Sequence, residues 1–182
     1  YRLDLKRLKI HFGKLAEIIR IGLPAGVQGA LFSISNVIIQ SSINSFGSTV
    51  MAGSAAASSI EGFVYTSMNA VSQAAVTFTG QNVGAKNYKR IMPILGKCNL
   101  FVFLVGIVMS AVILMLAKPL LGIYCPSDPD AIAYGTTRLF YILTTYFLCG
   151  MMEVMVGVLR GMGSSFLPMM VSVAGACGLR LI

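Results

Sequence analysis

Two carboxylates stand inside stretches of chain that otherwise lack charge, and chemistry can be argued from them first. Glu61 is the single formal charge in the sixty-five residues between Arg20 and Lys86, and Glu153 is the single one in residues 139–159. An ionised carboxylate surrounded by apolar chain is costly, so such a residue fits a site that carries or senses a proton, binds a cation or pairs with a base. The polar residues near Glu61 recur at helical spacing. Glu61, Tyr65, Asn69, Gln73 and Thr77 follow one another every four residues, and so do Asn36, Gln40 and Asn44 upstream, with Ser33 beside them. That interval puts each row on one slowly turning helix face. Two such rows on adjacent helices imply a shared polar cavity; hydrogen bonds that only hold a bundle together are the plainer alternative. Glu61, Glu153, Asn36, Gln40, Asn44, Tyr65, Asn69 and Gln73 therefore form the candidate set. For Glu153, ion pairing with Arg160 or Arg180 is a competing structural account.

Other chemistries find no residues to carry them. His11 is the only histidine, so neither a histidine triad nor a multi-histidine metal centre can be assembled. Cys98, Cys125, Cys149 and Cys177 lack paired spacing, and three of them sit in apolar runs where cysteine behaves as a small hydrophobe. The segment Gly80-Gln81-Asn82-Val83-Gly84-Ala85-Lys86 lacks both the gap and the Lys-Ser/Thr ending of a phosphate loop. No enzymatic activity, metal or cofactor is expected.

The elements that must position the acids are membrane-spanning. The chain is 56% hydrophobic and 11% charged, outside the range of an ordinary globular domain. Its uncharged runs each reach the roughly 20 residues that a helix needs to cross about 30 Å of hydrocarbon. A barrel would show alternating segments of about ten residues, which are absent. The expected architecture is an all-α polytopic bundle with helices at about 21–46, 50–80, 93–117, 134–159 and 165–182, preceded by a basic amphipathic linker over residues 1–20. Phe46-Gly47-Ser48-Thr49 is the expected first turn. Pro24 is a cause for a kink, and Lys118-Pro119 is expected to close the third helix. Glu61 then falls roughly 16 Å into the membrane, with Glu153 at a comparable level. Gly22 with Gly26, Gly157 with Gly161, and the small residues 52–59 offer sites for close helix approach.

Charge gives an orientation. Arg2, Lys6, Arg7, Lys9, Lys14, Arg20, Lys86, Lys89, Arg90, Lys97 and Arg160 fall on one face, against Lys118 and Arg138 on the other and Arg180 inside the last run. Basic loops are retained in the cytoplasm, so the amino-terminal segment is expected there. The net charge of +8 is then mostly a topology signal, and no nucleic-acid partner is expected. Beginning at Tyr1 and stopping in an apolar run, the chain reads as a fragment.

Ile21-Gly22-Leu23-Pro24-Ala25-Gly26-Val27-Gln28, Phe32-Ser33-Ile34-Ser35-Asn36, Asn44-Ser45-Phe46-Gly47, Gly80-Gln81-Asn82-Val83-Gly84-Ala85 and Leu159-Arg160-Gly161-Met162-Gly163 with Pro168 follow in an order and spacing that resemble the second half of the multidrug and toxic compound extrusion (MATE) family. The resemblance implies most of one six-helix lobe of a twelve-helix transporter, whose missing amino-terminal lobe belongs to the same polypeptide. It implies export of small organic cations or drugs across the plasma membrane in exchange for protons or sodium ions, with membrane lipid as surroundings. In some members an acid on the seventh helix and one on the tenth bind the coupling cation. Here the seventh helix has only Asn36, Gln40 and Asn44, while Glu153 is a possible tenth-helix counterpart. A lipid-linked saccharide flippase of the same superfamily and a non-transporting membrane scaffold are the alternatives. A flippase cavity for an anionic head group needs several Arg or Lys; a cation exporter needs acids and aromatics such as Tyr65.

Overall fold

The computed structural model describes residues 11–126 and 128–174, all helix or connection, with no strand among them. In chain order the helices are α1 (Phe12–Asn44), α2 (Ser48–Gly84), α3 (Ile91–Met115), α4 (Ala117–Tyr124), α5 (Pro129–Gly161) and α6 (Phe166–Ser172), with a 3₁₀ turn at Tyr88–Arg90 leading into α3. The helical spans Phe12–Asn44, Tyr88–Met115 and Pro129–Gly161 are long and apolar enough to cross a membrane. The chain is an all-α membrane protein.

Local chemistry explains where these helices begin and end. Gly47 joins α1 to α2 at φ 98°, a left-handed conformation open to glycine and strained for other residues. Asp128 caps α5 by accepting a hydrogen bond from the Ala131 amide at 3.0 Å, and Pro129 follows at the first helical position, where its missing N–H costs nothing. The other end of α5 closes through Gly163 at φ 85°. There the Gly163 amide reaches the Arg160 carbonyl at 2.9 Å and the Ser164 amide reaches the Leu159 carbonyl at 3.0 Å. The same two-bond closure ends α2, but Lys86 holds the left-handed position at φ 56°.

Several boundaries differ from the sequence reading, three of them with a clear cause. Helix α1 starts at Phe12 rather than near residue 21, because residues 14–17 are good helix formers and Lys14 pairs with Glu17 one turn on at 3.3 Å. Lys118-Pro119 does not simply terminate the third helix. Helix α3 stops at Met115, and Pro119 lies in the first turn of the separate α4, where proline is tolerated. Helix α5 starts at Pro129, about five residues early, since the Asp128-Pro129 cap nucleates it there. Arg180 and the expected extension of the last helix to residue 182 lie outside the described residues, as do residues 1–10 of the linker.

The core lies where α2 packs along α5, with α3 and α4 against them. Ala57, Ile60, Val64 and Met68 of α2 are buried with Val102 of α3, Leu121 of α4, and Leu139, Leu143, Val154 and Val158 of α5. Small residues let two backbones meet at both ends of this seam. A Cβ at Gly135 would lie 3.0 Å from the Gly53 carbonyl oxygen, and one at Gly161 would lie 2.7 Å from the Val76 carbonyl oxygen. Gly157 fits the same way against Ser72, whose hydroxyl donates to the Glu153 carbonyl at 2.8 Å. By contrast, nothing lies within 4 Å of a Cβ at Gly22 or Gly26, so that glycine pair makes no close helix contact among the described residues. Helix α1 is mostly exposed, burying only Gln28 and Ser35.

Candidate functional site

A half-open cleft of about 910 Å³ runs between α1, α2 and α5. From α2 it takes Glu61, Tyr65, Asn69 and Gln73, the row expected from their four-residue spacing. The row is bonded along itself: the Asn69 amide donates to the Tyr65 hydroxyl at 3.3 Å, and the Gln73 amide donates to Asn69 Oδ1 at 3.5 Å. Thr77 leaves the row, turning its hydroxyl back to the Gln73 carbonyl at 3.0 Å. Helix α1 contributes Gln28, Phe32, Ser33 and Asn36, and α5 contributes Glu153. Both acids therefore face one space.

Gln40 and Asn44 do not reach it. The Gln40 amide donates to Asn44 Oδ1 at 3.0 Å on an exposed face near the first turn, one to two turns beyond the end of the cleft. The four-residue spacing that links them to Asn36 is real. A row at that interval drifts around the helix, however, because four residues overshoot one 3.6-residue turn.

The sequence named no partner for Glu61, and Arg138 supplies one. Arg138, placed by charge counting on the outer side, lies nine residues inside α5, and its Nη2 stands 3.4 Å from Glu61 Oε2. Its Nη1 donates to the Ser54 carbonyl oxygen at 3.0 Å and to the Ser54 hydroxyl. The guanidinium is thus anchored to α2 independently of the carboxylate it faces. Arg160 does not pair with Glu153; its Nη2 donates to Gln28 Oε1 at 2.6 Å, tying α5 to α1. The Arg160 Nε is buried without a hydrogen-bond partner. The cleft accordingly has two poles. Glu61 with Arg138 stands at one, and Arg160 with Gln28 at the other, the two arginines being separated by roughly 33 Å of α5 rise.

Apart from Glu153, sequence reasoning missed the α5 wall. Tyr141, Thr145, Cys149 and Glu153 recur every four residues and all line the cleft, and Arg138, Ile142 and Tyr146 form a parallel row. The signal was the periodicity already used on α1 and α2, hidden here because tyrosine, threonine and cysteine look unremarkable in an apolar run.

Two polar-lined helices and an acid-bearing third around a membrane cleft agree with the relationship that the sequence motifs suggest. The MatE family model matches residues 24–182. The chain belongs to the MatE family. Among curated MatE-like relatives, 28% of 149 aligned residues are identical to a probable multidrug resistance protein, YpnP, of Bacillus subtilis, over 82% of this chain and 33% of that protein. A second from the same organism, YoeA, is 21% identical over 96% of this chain and 37% of its own length. A probable multidrug resistance protein NorM of Thermotoga maritima is 23% identical over 86% and 33%. The MatE chain described here thus spans about a third of the length of these relatives.

Proposed function

We propose that the chain forms most of one lobe of a secondary active exporter, in which the α1–α2–α5 cleft binds organic cations or drugs and exchanges them for protons or sodium ions. The single observation that carries this reading is the convergence of Glu61 and Glu153 on one polar cleft with Tyr65, Tyr141 and Tyr146 around it. Carboxylates attract a cation, and aromatic rings stabilise one that has shed water. The names of the bacterial relatives, probable multidrug resistance proteins, support the same direction.

Coupling follows from competition for Glu61. An incoming organic cation, a proton and the Arg138 guanidinium all interact with the same carboxylate, so occupation by one weakens the others. Exchange requires only that the outward- and inward-open states prefer different occupants. The test is transport by the full-length protein in vesicles under separate proton and sodium gradients. Glu61→Gln is expected to abolish drug-driven ion movement while leaving expression intact, and Glu153→Gln to reduce it. Unchanged antiport in Glu61→Gln removes this residue from the mechanism.

One observation favours the lipid-linked saccharide flippase: Arg160 presents a buried, unpartnered Nε at the cleft, which suits an anionic group. Two acids in the lining against that one base support the cation reading over it. Competition of an anionic lipid-linked sugar, but no organic cation, for cleft labelling would reverse the choice.

A further inference from the structure

On the side of α2 away from the cleft, a second hollow of about 450 Å³ opens between α2 and α3. It is lined by Ala70, Val71 and Ala74 of α2 and by Lys97, Cys98 and Phe101 of α3. Its depth comes from small side chains: Ala70 and Ala74 sit one turn apart and leave a concavity that Phe101 flanks without filling. The walls are apolar, and Lys97 lines them with its aliphatic stem, the ammonium lying at the edge. Along α3 this charge lies about 9 Å from the helix start at Ile91, whereas Phe101 lies about 15 Å in, so the hollow has a charged shallow end and an apolar deep end.

The charge there is unbalanced. Lys86, Lys89, Arg90 and Lys97 crowd the connection between α2 and α3, residues 84–97 contain no acid, and Lys97 has no ion-pair partner among the described residues. An ammonium one to two turns inside an apolar helix is costly unless its stem runs along apolar surface and its head meets an anion at the interface. From this polarity and charge complementarity we infer that the α2–α3 hollow is a binding site for one anionic phospholipid, with an acyl chain along Ala70, Ala74 and Phe101 and the phosphate against Lys97. Basic pockets between membrane helices recognise anionic head groups in this manner. The site is on the opposite side of α2 from the cleft and stands whether or not the transport reading holds.

The test is native mass spectrometry of the full-length protein released from nanodiscs of equimolar phosphatidylglycerol and phosphatidylcholine. The unaltered protein is expected to retain phosphatidylglycerol in preference to phosphatidylcholine. Lys97→Gln should lower that preference about fivefold, the scale of one basic residue at a membrane surface, and Lys97→Arg should preserve it. Ala70→Leu, which fills the exposed rim of the hollow and keeps the charge, should lower retention of both lipids. Equal retention of the two lipids by the unaltered protein overturns the proposal. So does an unchanged preference in Lys97→Gln, or a loss in Lys89→Gln as large as that in Lys97→Gln, which would mean diffuse attraction to the basic connection.

Discussion

The two walls of the cleft are built in opposite ways. On one side α2 and α5 meet backbone to backbone through Gly53 with Gly135 at one end and Gly157 and Gly161 at the other, with a continuous buried row between them. On the other side α1 buries two polar residues, presents Ile18, Leu23, Ile34 and Val37 outward, and is tied to α5 by the Arg160–Gln28 hydrogen bond. Close small-residue packing fixes a geometry, because dispersion contacts are lost with tenths of an ångström of separation. A charge-assisted hydrogen bond across a wet cleft holds position without fixing it. The acids thus ride on the closely packed wall, and α1 is the more loosely held one.

The largest effect should follow from breaking the closely packed wall. Gly161→Leu sets a branched side chain against the Val76 carbonyl and Thr79, and overpacking of this kind costs about 1–3 kcal/mol or prevents assembly. The same change at Gly22, whose Cβ meets nothing within 4 Å, should alter the midpoint of thermal unfolding in detergent very little. Equal losses at the two glycines would erase the distinction between the walls.

Next in size is the pair mounted on that wall. Removing Arg138 takes away the guanidinium that stands 3.4 Å from Glu61 Oε2. Both side chains keep some exposure, at 27% and 17%, so the cost should be about 1–3 kcal/mol rather than that of a fully buried pair. Arg138→Gln should therefore destabilise more than the double variant Arg138→Gln/Glu61→Gln, and a double-mutant cycle in unfolding free energy measures the coupling. Additive effects would mean that the anchoring to Ser54, not the ion pair, is what Arg138 contributes.

How much of this was legible in the sequence depended on whether the signal was local. Helical periodicity brought Glu61, Tyr65, Asn69, Gln73 and Asn36 to one cleft, since four-residue spacing is a property of a single helix. The same rule overreached at Gln40 and Asn44, where the row had rotated away. The contact of Arg138 with Glu61 was not legible for a different reason: the two lie 77 residues apart, and only packing brings them together. The partner of Arg160 could not be read at all, because Gln28 lies 132 residues away and only packing brings the two together. Glycine spacing was equally silent on partners. Gly157 with Gly161 and Gly22 with Gly26 carry the same four-residue interval, and only the first pair meets another backbone.

The smallest expected effect concerns the loosely held wall, and it is the most discriminating. Gln28→Leu keeps approximate volume but removes the acceptor of the 2.6 Å bond, leaving the Arg160 Nη2 unpaired beside an Nε that already lacks a partner. A hydrogen bond to a charged group is worth about 1.5–3 kcal/mol when lost from a buried site, less where water can enter the opened cleft. Global unfolding should therefore shift by no more than about 1 kcal/mol, since the seam between α2 and α5 remains. Backbone amide exchange in α1 should rise while that in α2 and α5 is unchanged, because local opening draws only on the contacts of the element that opens. Exchange that rises equally in all three helices would mean that α1 is bound into the bundle as firmly as the seam, and that the cleft has no loosely held side.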